Sequence, residues 1–288
     1  MLSDKASLHR LIKNAEKRLE KAGVATPAAE VELILEHLLD VARLDIYLHG
    51  EKLIDDDVCR RFEAVIKKRL TRYPLQYILG EAYFYGRKFT VTPDVMVPTP
   101  ETELLCELAL DLIRHKNIET PRILDVGTGS GVVAVTIAAE MPDAEVTALD
   151  ISGGALDVAR GNAASYQLER RIIFIRSDLY GGLRPQRRFD LVLSNPPYIT
   201  ENDYKTLMPE VLADPKLALT AGTDGLDIIR RLIERSPDYL LPGGRLLFEI
   251  GYDQSEKVSD ITADDARYKS MTLFKDLNDI DRVVMLGV

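Results

Sequence analysis

The first part of the chain carries apolar residues three and four positions apart, which is the spacing of one face of a helix. Two stretches show this pattern, and their apolar positions are Leu8, Leu11, Ile12, Ala15 and Leu19, then Val58, Phe62, Val65, Ile66 and Leu70. Between them, Thr26 followed by Pro27 is typical of a helix start with Thr26 as the N-cap. We therefore predict a small helical domain over residues 1–72.

The pattern changes between this domain and the rest of the chain. The segment "YFYGRKFTV" alternates apolar and polar residues around Gly86 and Arg87, which favours a β-hairpin with its turn at those residues. The segment "TPDVMVPTPETE" contains too much proline for regular structure. Together they predict a linker with a hairpin over residues 73–97.

From residue 98 onward, short apolar runs alternate with helical stretches. The seven runs are "RILDV", "EVTALD", "RIIFIRSD", "FDLVLS", "GRLLFEIG", "MTLFKDL" and "DRVVMLGV". Strands that alternate with helices favour a parallel sheet covered by helices on both faces, so we predict an α/β domain over residues 98–288. Ligands of such sheets bind at the carboxyl ends of the strands.

Composition narrows the classes of protein. A net charge of -9 over 288 residues disfavours a sequence-independent nucleic-acid binder, because such proteins rely on a basic face. Cys59 and Cys106 are the two cysteines, so we predict no disulfide framework and no metal site. The first residues lack the apolar core of a signal peptide, and no apolar run approaches the roughly 20 residues that cross a bilayer. We expect a soluble, cytoplasmic protein.

The first strand of the α/β domain runs into a glycine-rich loop, "DVGTGSG", from Asp125 to Gly131. Such a loop is either a tight turn alone or the cradle of a nucleotide-like cofactor, because glycine lets the backbone turn sharply and approach a ligand. A dinucleotide fingerprint would place its third glycine at position 132, where this chain has Val132. The spacing instead suits S-adenosylmethionine, which has no pyrophosphate, with Gly127, Thr128, Gly129, Ser130 and Gly131 as binding residues.

Aspartates follow the ends of the neighbouring strands. Asp150, followed by Ile151, ends the second strand and is a candidate acceptor for ribose hydroxyls. Asp178 and the backbone of Leu179 follow the third strand and are candidates for the adenine edge. Asp125 would complete an acidic rim for the ammonium and sulfonium charges. Each aspartate alone could simply cap a helix, but their shared register with one glycine loop favours cofactor binding.

The fourth strand ends at "SNPPYI", which contains Asn195, Pro196, Pro197 and Tyr198. Proline has a fixed φ and restricts the residue before it, so Asn195 and the Pro196 carbonyl have few alternative positions. These two acceptors can grip the N–H bonds of a planar amide or an exocyclic amine and orient its nitrogen for methyl transfer, while Tyr198 packs against the planar group. We predict that Asn195 to Tyr198 are the catalytic and substrate-binding residues; the alternative is a strand-ending turn.

These motifs together resemble the bacterial peptide chain release factor glutamine N5-methyltransferases, the HemK/PrmC family. The likeness covers nearly the whole chain, including "YPLQYILGEAYFYGRKFTVTPDVMVP", "PTPETE", "DVGTGSG", "LDISGGALDVARGNA", "SNPPYI", "TAGTDGLDIIRRLI" and "LFEIGYDQ". The resemblance implies a seven-stranded Rossmann-like methyltransferase domain. It also implies S-adenosylmethionine as methyl donor and the Gly-Gly-Gln glutamine of class I release factors as substrate. Carried over by position, the resemblance implies a cofactor site made of Gly127 to Gly131, Asp150, Leu179 and Asn195. It implies a glutamine site made of Asn195 to Tyr198.

One position departs from the family pattern, and one charged run has two interpretations. The family usually has arginine where this chain has Thr99, which we expect to serve as the N-cap of the next helix. We interpret a run of basic residues as a solvated helix face, with release factor docking as the alternative; the run is Arg60, Arg61, Lys67, Lys68, Arg69 and Arg72.

Two other functions are weighed against glutamine methylation. An N6-adenine methyltransferase acting on DNA or RNA would use the same clamp on an exocyclic amine, but it needs a flipped base and a positively charged track. A methyltransferase-like protein that binds without catalysis would not need the intact Asn195 motif. We favour a monomeric release factor methyltransferase whose helical domain recognises the protein substrate and which binds no nucleic acid specifically.

Overall fold

The computed structural model describes residues 8–288, apart from the side chains of residues 49–53. Contacts divide the chain into two compact units. The first contains the described residues up to Gly80 together with Met208–Ala213, and the second contains Glu81–Leu207 and Asp214–Val288. The first unit therefore takes one short segment from the far half of the sequence.

The first unit is helical, as the periodicity predicts. Its helices are α1 (Leu8–Lys21), α2 (Pro27–Leu39), α3 (Arg43–Leu53), α4 (Asp56–Arg69), α5 (Leu75–Leu79) and, from the later segment, α9 (Pro209–Leu212). Leu8, Ile12, Ala15 and Leu19 are buried along one face of α1, where they pack with the apolar faces of α2 and α4. Thr26 occupies the N-cap position of α2, although its side chain makes no capping hydrogen bond.

The basic run at the end of α4 is not uniformly solvated, so the interpretation as a solvated face is wrong for Arg69. Arg69 is 3% exposed, and its guanidinium pairs with Glu30 on α2 at 2.6 Å and with Glu210 on α9 at 2.9 Å. Arg72 also pairs with Glu210. These ion pairs satisfy a guanidinium that would otherwise be costly to bury, and they hold α9 within the first unit.

The predicted hairpin is present at the start of the second unit. Strands β1 (Glu81–Phe84) and β2 (Arg87–Thr90) pair antiparallel, with Phe84 opposite Arg87. The turn residues are Tyr85 and Gly86, with φ of 51° and 70°, and not Gly86 and Arg87 as the sequence suggested. Two-residue hairpins favour positive φ at both central positions, and this places the turn one residue earlier.

The seven predicted strands form one sheet, in the order β5-β4-β3-β6-β7-β9-β8. The strands are β3 (Arg122–Val126), β4 (Glu145–Asp150), β5 (Ile172–Arg176), β6 (Phe189–Ser194), β7 (Leu240–Glu249), β8 (Ser270–Lys275) and β9 (Asp281–Gly287). The remaining helices are α6 (Glu101–Lys116), α7 (Val132–Glu140), α8 (Gly153–Ser165), α10 (Lys216–Leu219), α11 (Asp227–Arg235) and α12 (Ser255–Ala263). The α/β fold class is confirmed.

The strands from β3 to β7 pair in parallel, whereas β9 pairs antiparallel with both β7 and β8. The predicted parallel sheet is therefore confirmed for five strands, while β8 and β9 add an antiparallel edge. Parallel neighbours need a long crossover connection, and residues 276–280 between β8 and β9 are too few to supply one.

Both faces of the sheet are covered, which explains why its strands read as continuous apolar runs. Ile123 and Leu191 lie in the apolar core on one face, while Leu124 and Val192 lie in the core on the other. A strand with two buried faces does not alternate polar and apolar residues, so its charged residues lie mainly at its ends. The functional side chains therefore collect at the strand ends.

The start of α6 differs from the expected one. The helix begins at Glu101 with Pro100 at the N-cap position, and not with Thr99 as the cap. Pro100 already has helical φ and ψ of -60° and -29°, so Thr99 lies one residue outside the cap. Its carbonyl accepts the Thr102 N–H at 3.2 Å, and its hydroxyl lies 3.4 Å from the Thr102 hydroxyl.

Thr147, in the middle of β4, provides a test of polar burial in the sheet. Its side chain is fully buried, and its hydroxyl has no hydrogen-bond partner among the described residues. Thr147→Val keeps the shape and removes the unpaired hydroxyl, so we expect the free energy of unfolding to rise by about 1 kcal/mol. Thermal unfolding should show a melting temperature about 2 °C higher. A lower melting temperature would mean that the hydroxyl has a partner within the folded sheet.

Candidate active site

A cavity of about 340 Å³ lies in the second unit, where the carboxyl ends of β3, β4 and β6 meet the loops that follow them. Most of the residues that the sequence singles out line it: Asp125, Gly127, Thr128, Gly129, Ser130, Asp150, Ile151, Asp178, Leu179, Asn195, Pro196 and Pro197. Gly131 and Tyr198 are not among its lining residues. The parallel register of the strands thus brings together side chains that are far apart in sequence.

The glycine loop between β3 and α7 needs glycine at each of its three positions. Gly127, Gly129 and Gly131 have φ of 75°, 54° and 82°, in the left-handed region. A Cβ on Gly131 would lie 3.0 Å from the Cβ of Ala159 on α8. A Cβ on Gly127 or Gly129 would meet no protein atom within 4 Å, and both residues line the cavity. The first two glycines therefore leave room for a ligand, while the third allows two helices to pack.

The donors of this loop are already bound by the protein. The N–H groups of Gly127 and Thr128 donate to the Leu149 carbonyl at 2.8 and 2.9 Å, and the Gly129 N–H donates to Asp150 at 2.8 Å. The Gly131 N–H donates to the Thr128 carbonyl. A loop that binds pyrophosphate directs free N–H groups at the phosphates, and this loop has almost none to direct. The structure therefore disfavours a dinucleotide for a reason that the glycine spacing only hinted at.

Asp125 lies beneath this loop and is buried. Its Oδ2 accepts the Thr128 hydroxyl at 2.6 Å and the Ala134 N–H at 3.2 Å, which ties the loop to the start of α7. Burial raises the pKa of Asp125 to about 7, although these two hydrogen bonds oppose the shift. The Asp125 carboxyl group therefore changes its ionisation state near neutral pH and does not carry a fixed negative charge.

Asp150 ends β4 and binds two loops at once. One carboxylate oxygen accepts the Gly129 N–H at 2.8 Å, and the other accepts the Ser152 N–H at 2.9 Å. Each carboxylate oxygen can accept a further hydrogen bond, so capacity remains for a hydroxyl donor in the cavity. Burial raises the pKa of Asp150, and the N–H donors oppose that shift.

The loop after β5 contributes Asp178 and Leu179. The Asp178 carboxylate pairs with Arg231 on α11 at 2.8 Å, and both residues line the cavity. Leu179 has φ of 46°, a conformation that costs energy for a side-chain residue. The Ser177 hydroxyl holds it there by donating to the Leu179 carbonyl at 2.6 Å. Sequence reasoning missed Arg231, which gives the Asp178 carboxylate an ion-pair partner within the protein itself.

The backbone around Asn195 is fixed from both sides. Before it, the Ser194 hydroxyl donates to the Val126 carbonyl at 2.7 Å, which joins the ends of β6 and β3. After it, the Gln254 side chain donates to the carbonyls of Tyr198 at 3.0 Å and Gly225 at 3.2 Å. A Cβ on Gly225 would lie 2.3 Å from the Tyr198 carbonyl oxygen, so only glycine fits beside this turn.

The side chains of this turn lead to a buried carboxylate, Glu249, at the end of β7. The Asn195 Nδ2 donates to the Thr102 hydroxyl oxygen at 2.9 Å, and the Thr102 hydroxyl donates to Glu249 at 2.8 Å. The Tyr198 hydroxyl donates to the other Glu249 oxygen at 3.0 Å. Burial raises the pKa of Glu249, and burial together with the nearby Glu249 raises the pKa of Tyr198.

Sequence reasoning did not identify Thr102, Glu249 or Gln254. Thr102 lies within "PTPETE" and looked like part of a helix start. Glu249 interrupts the apolar run "LLFEIG", and a carboxylate inside a buried strand is unusual enough to have been a signal. For metals there is no comparable cluster: within residues 8–288, as far as they are described, no group of three or more His, Cys, Asp or Glu could hold an ion.

Comparison with known proteins gives the class of this chain. Residues 104–226 match the family "Methyltransferase small domain", and residues 10–80 match "PrmC N-terminal domain". A methyltransferase from Pyrococcus furiosus has the same fold with a TM-score of 0.50 and 16% identity, covering 78% of this chain and 96% of that chain. The catalytic domain of hMettl16 has a TM-score of 0.57 and 15% identity, covering 81% of this chain and 80% of that chain. The fold and the site define an α/β methyltransferase.

Sequence relatives give the particular family. The "Release factor glutamine methyltransferase" of Koribacter versatilis is 40% identical over 97% of this chain and 98% of that relative. The protein of the same name from Deinococcus radiodurans is 43% identical over 84% of this chain and 85% of that relative. The chain belongs to the release factor glutamine methyltransferase family, which confirms the resemblance seen in its motifs.

The methyl donor of this class, S-adenosylmethionine, fits the residues that line the cavity. The donor carries a sulfonium, an ammonium and a ribose diol, and it has no phosphate. The cavity offers the carboxyl groups of Asp94, Asp125, Asp150 and Asp178, while the one lysine or arginine among its lining residues, Arg231, is paired with Asp178. A cavity rich in acceptors with its loop donors consumed suits a cationic ligand better than an anionic one.

Asp125 makes the stability of the protein depend on pH. A carboxyl whose pKa is raised from 3.8 to about 7 keeps its proton in the folded protein where the unfolded chain loses it. Stability therefore falls as pH rises between those two values and levels off above them. Asp125→Asn cannot ionise and still accepts both hydrogen bonds through its carbonyl. The difference in free energy of unfolding between Asp125→Asn and wild type should therefore grow in favour of the variant by up to about 4 kcal/mol as pH rises from 4 to 8.

Urea unfolding at a series of pH values measures this gap. Thr147→Val is the matched control, since its difference from wild type should not change with pH. A constant gap for Asp125→Asn would mean that the folded protein ionises Asp125 as readily as the unfolded chain does.

Proposed function

We propose that this protein transfers a methyl group from S-adenosylmethionine to the side-chain amide nitrogen of the Gly-Gly-Gln glutamine in class I release factors. The observation that carries the proposal is the orientation of Asn195, whose amide NH₂ is bound by Thr102 while its Oδ1 accepts no hydrogen bond recorded among the described residues. An acceptor left open beside a methyl-donor cavity suits a substrate that brings N–H donors. Full-length relatives with this function in their name support the same substrate.

At the cofactor end, the chain's residues bind and orient. Bound S-adenosylmethionine supplies an electrophilic methyl group on its sulfonium. Asp150 is positioned to accept the ribose hydroxyls with its remaining lone pairs, and the half-exposed Ile151 offers an apolar wall in the cavity next to it. Gly127 and Gly129 leave the space that a Cβ would fill. The Asp178 carboxylate and the Leu179 backbone are proposed to meet the adenine edge.

At the substrate end, the chain supplies acceptors in place of a strong base. An amide nitrogen is a poor nucleophile because its lone pair is delocalised into the carbonyl. Asn195 Oδ1 and the Pro196 carbonyl are proposed to accept the two N–H bonds, which turns the nitrogen toward the methyl group and stabilises the positive charge that develops on it. As the nitrogen bonds to the methyl group, the bond from the methyl group to sulfur would break and leave S-adenosylhomocysteine; the nitrogen, now positively charged, would then lose one proton to solvent water. Tyr198 is proposed to contact the glutamine side chain through its ring, since its hydroxyl is bound to Glu249.

The alternative, adenine methylation in nucleic acid, is not favoured. The net charge of -9 and the carboxyl groups of the cavity oppose a phosphate backbone, and the relatives named for glutamine methylation cover nearly the whole chain. Among the described helices, none has the length and apolar content to cross a bilayer. A cytoplasmic location is proposed from the substrate, because release factors act on ribosomes there, and a monomeric state stays a prediction.

Mass spectrometry of a class I release factor incubated with the enzyme and S-adenosylmethionine tests the proposal. Wild type should add one methyl to the Gly-Gly-Gln glutamine. Asn195→Ala should lower the rate about 10²- to 10³-fold, the effect of removing a preorganised polar contact, while S-adenosylhomocysteine binding measured by calorimetry stays close to wild type. No methyl on that glutamine with wild-type enzyme would contradict the proposed substrate, and a wild-type rate in Asn195→Ala would contradict the clamp.

We further propose that the helical domain, predicted over residues 1–72, recognises the protein substrate. The residues that line the cavity all belong to the second unit, which supports a separate role for the first unit. Its helix α3 exposes Leu44 and Leu48, one turn apart, at 67% and 62% of their surface. Large apolar residues exposed together support a role in protein contact.

Leu44→Ser with Leu48→Ser should lower kcat/KM for an intact release factor by about tenfold, because two exposed apolar anchors lose their contact area. The rate on a short Gly-Gly-Gln peptide, which cannot reach a separate docking surface, should not change. Leu277→Ser is the matched control, because this leucine is fully exposed in the second unit. Equal losses on the intact factor and the peptide would show that α3 supports the fold and does not recognise the substrate.

A further inference from the structure

Among the residues that the structure describes, Glu249 is a buried carboxylate with no ion-pair partner. It is 1% exposed, and the residues on either side of it in the chain, Leu247, Phe248 and Ile250, are fully buried and apolar. Its recorded hydrogen-bond donors are the hydroxyls of Thr102 and Tyr198. The guanidinium of Arg282, which favours the ionised form of Glu249, is itself hydrogen-bonded to Asp276 and to the Ile250 carbonyl. Burying a carboxyl group on two neutral donors costs stability, so the position serves something other than packing.

The hydrogen bonds that join Asn195, Thr102 and Glu249 run in one direction. The Thr102 hydroxyl donates its single hydrogen to Glu249 at 2.8 Å, and the nearby Arg282 guanidinium favours the ionised, accepting form of this carboxylate. The Thr102 oxygen can then only accept from its other neighbours, which are the amide of Asn195 at 2.9 Å and the more distant Thr99 hydroxyl at 3.4 Å. The group that faces Thr102 must therefore be the NH₂ of Asn195, and Oδ1 is left on the opposite side of the amide.

This ordering matters because an asparagine amide is nearly symmetric in shape. Rotation by half a turn exchanges Oδ1 and NH₂ with little change in packing, and the terminal torsion of the side chain is soft. A flipped Asn195 would present donors to the N–H bonds of the substrate and would repel them. The prolines that follow Asn195 fix its backbone but not this rotation.

We propose that Glu249 and Thr102 are positioning residues that set which face of the Asn195 amide meets the substrate, with Glu249 also holding Tyr198 through its hydroxyl. The proposal rests on the proposed function for the identity of the substrate amide. Glu249 acts without lining the cavity, and Thr102 acts through its hydroxyl. The glutamine site therefore extends inward to the end of β7.

The hydrogen bonds from Asn195 through Thr102 to Glu249 predict that two substitutions will partly compensate each other. In Glu249→Met the Thr102 hydroxyl loses its acceptor and can donate to Asn195 Oδ1, which stabilises the flipped amide. In Thr102→Val the amide has no anchor but also no donor that favours the flip. Adding Thr102→Val to Glu249→Met should therefore restore part of the rate, whereas two losses of ordinary structural support would accumulate.

Single-turnover methylation of a release factor tests this. Thr102→Val should lower the rate about tenfold with an unchanged KM for S-adenosylmethionine, Thr102→Ser should remain within about threefold of wild type, and Glu249→Met should lose about 100-fold. Thr147→Val is the matched control for removal of a buried threonine hydroxyl and should keep the wild-type rate. In an Asn195→Ala background, Thr102→Val should have no further effect, since it acts through the missing amide.

A second measurement does not depend on activity. In wild type the Asn195 side-chain NH₂ should show a nuclear Overhauser contact with the Thr102 methyl group, and Glu249→Met should weaken it, while S-adenosylhomocysteine binds all variants equally. Absence of that contact in wild type, a wild-type rate in Thr102→Val, or additive losses in the double variants would each overturn the positioning role. If wild type leaves the release factor unmethylated, the proposed function fails instead, and the spectroscopic result still decides the orientation of Asn195.

Discussion

The end of β4 determines the chemistry of the cavity, because it consumes the hydrogen-bond donors of the glycine loop. The Leu149 carbonyl and the Asp150 carboxylate bind the N–H groups of Gly127, Thr128 and Gly129. A loop that would otherwise attract phosphate is thereby converted into one that presents acceptors. The other polar groups follow the same rule, since the remaining carboxyl groups of the cavity and Asn195 Oδ1 also accept. The site as a whole selects ligands that bring positive charge or N–H and O–H donors.

The buried carboxyl groups of the site lower the stability of the fold, and the apolar packing of the rest of the sheet offsets this cost. Burial raises the pKa of Asp125, Asp150 and Glu249, which means that the folded protein disfavours their charged forms. All three lie in or directly beside the carboxyl ends of parallel strands. The middle of the same strands is apolar on both faces apart from Thr147, and it packs in two separate cores. Concentrating polar groups at one edge lets the chemistry and the packing occupy the same strands without interfering.

The fold was predictable from sequence because its signals report burial directly. Each of the seven apolar runs became a strand, because a short apolar run bounded by turn residues is typical of a strand in a covered sheet. Local signals were less reliable where a distant residue decides the outcome. The sequence pattern indicates a solvated Arg69, but Glu210 from the later segment pairs with its guanidinium in the folded protein. Thr102 and Glu249 are 147 positions apart, and no spacing rule connects them. The cavity residues were found because a glycine loop and strand-end aspartates are local motifs.

Asn195 shows why a motif can be necessary without being sufficient. Its backbone is fixed by the two prolines that follow and by the Gln254 side chain on the Tyr198 carbonyl. Its amide still has a rotational choice that no backbone contact can remove. The hydroxyl of Thr102 removes that choice only because Glu249 first determines which way the hydroxyl points. The short motif therefore encodes the position of the amide, while a threonine and a carboxylate from distant parts of the chain encode its direction, and both are needed before Oδ1 can act as an acceptor.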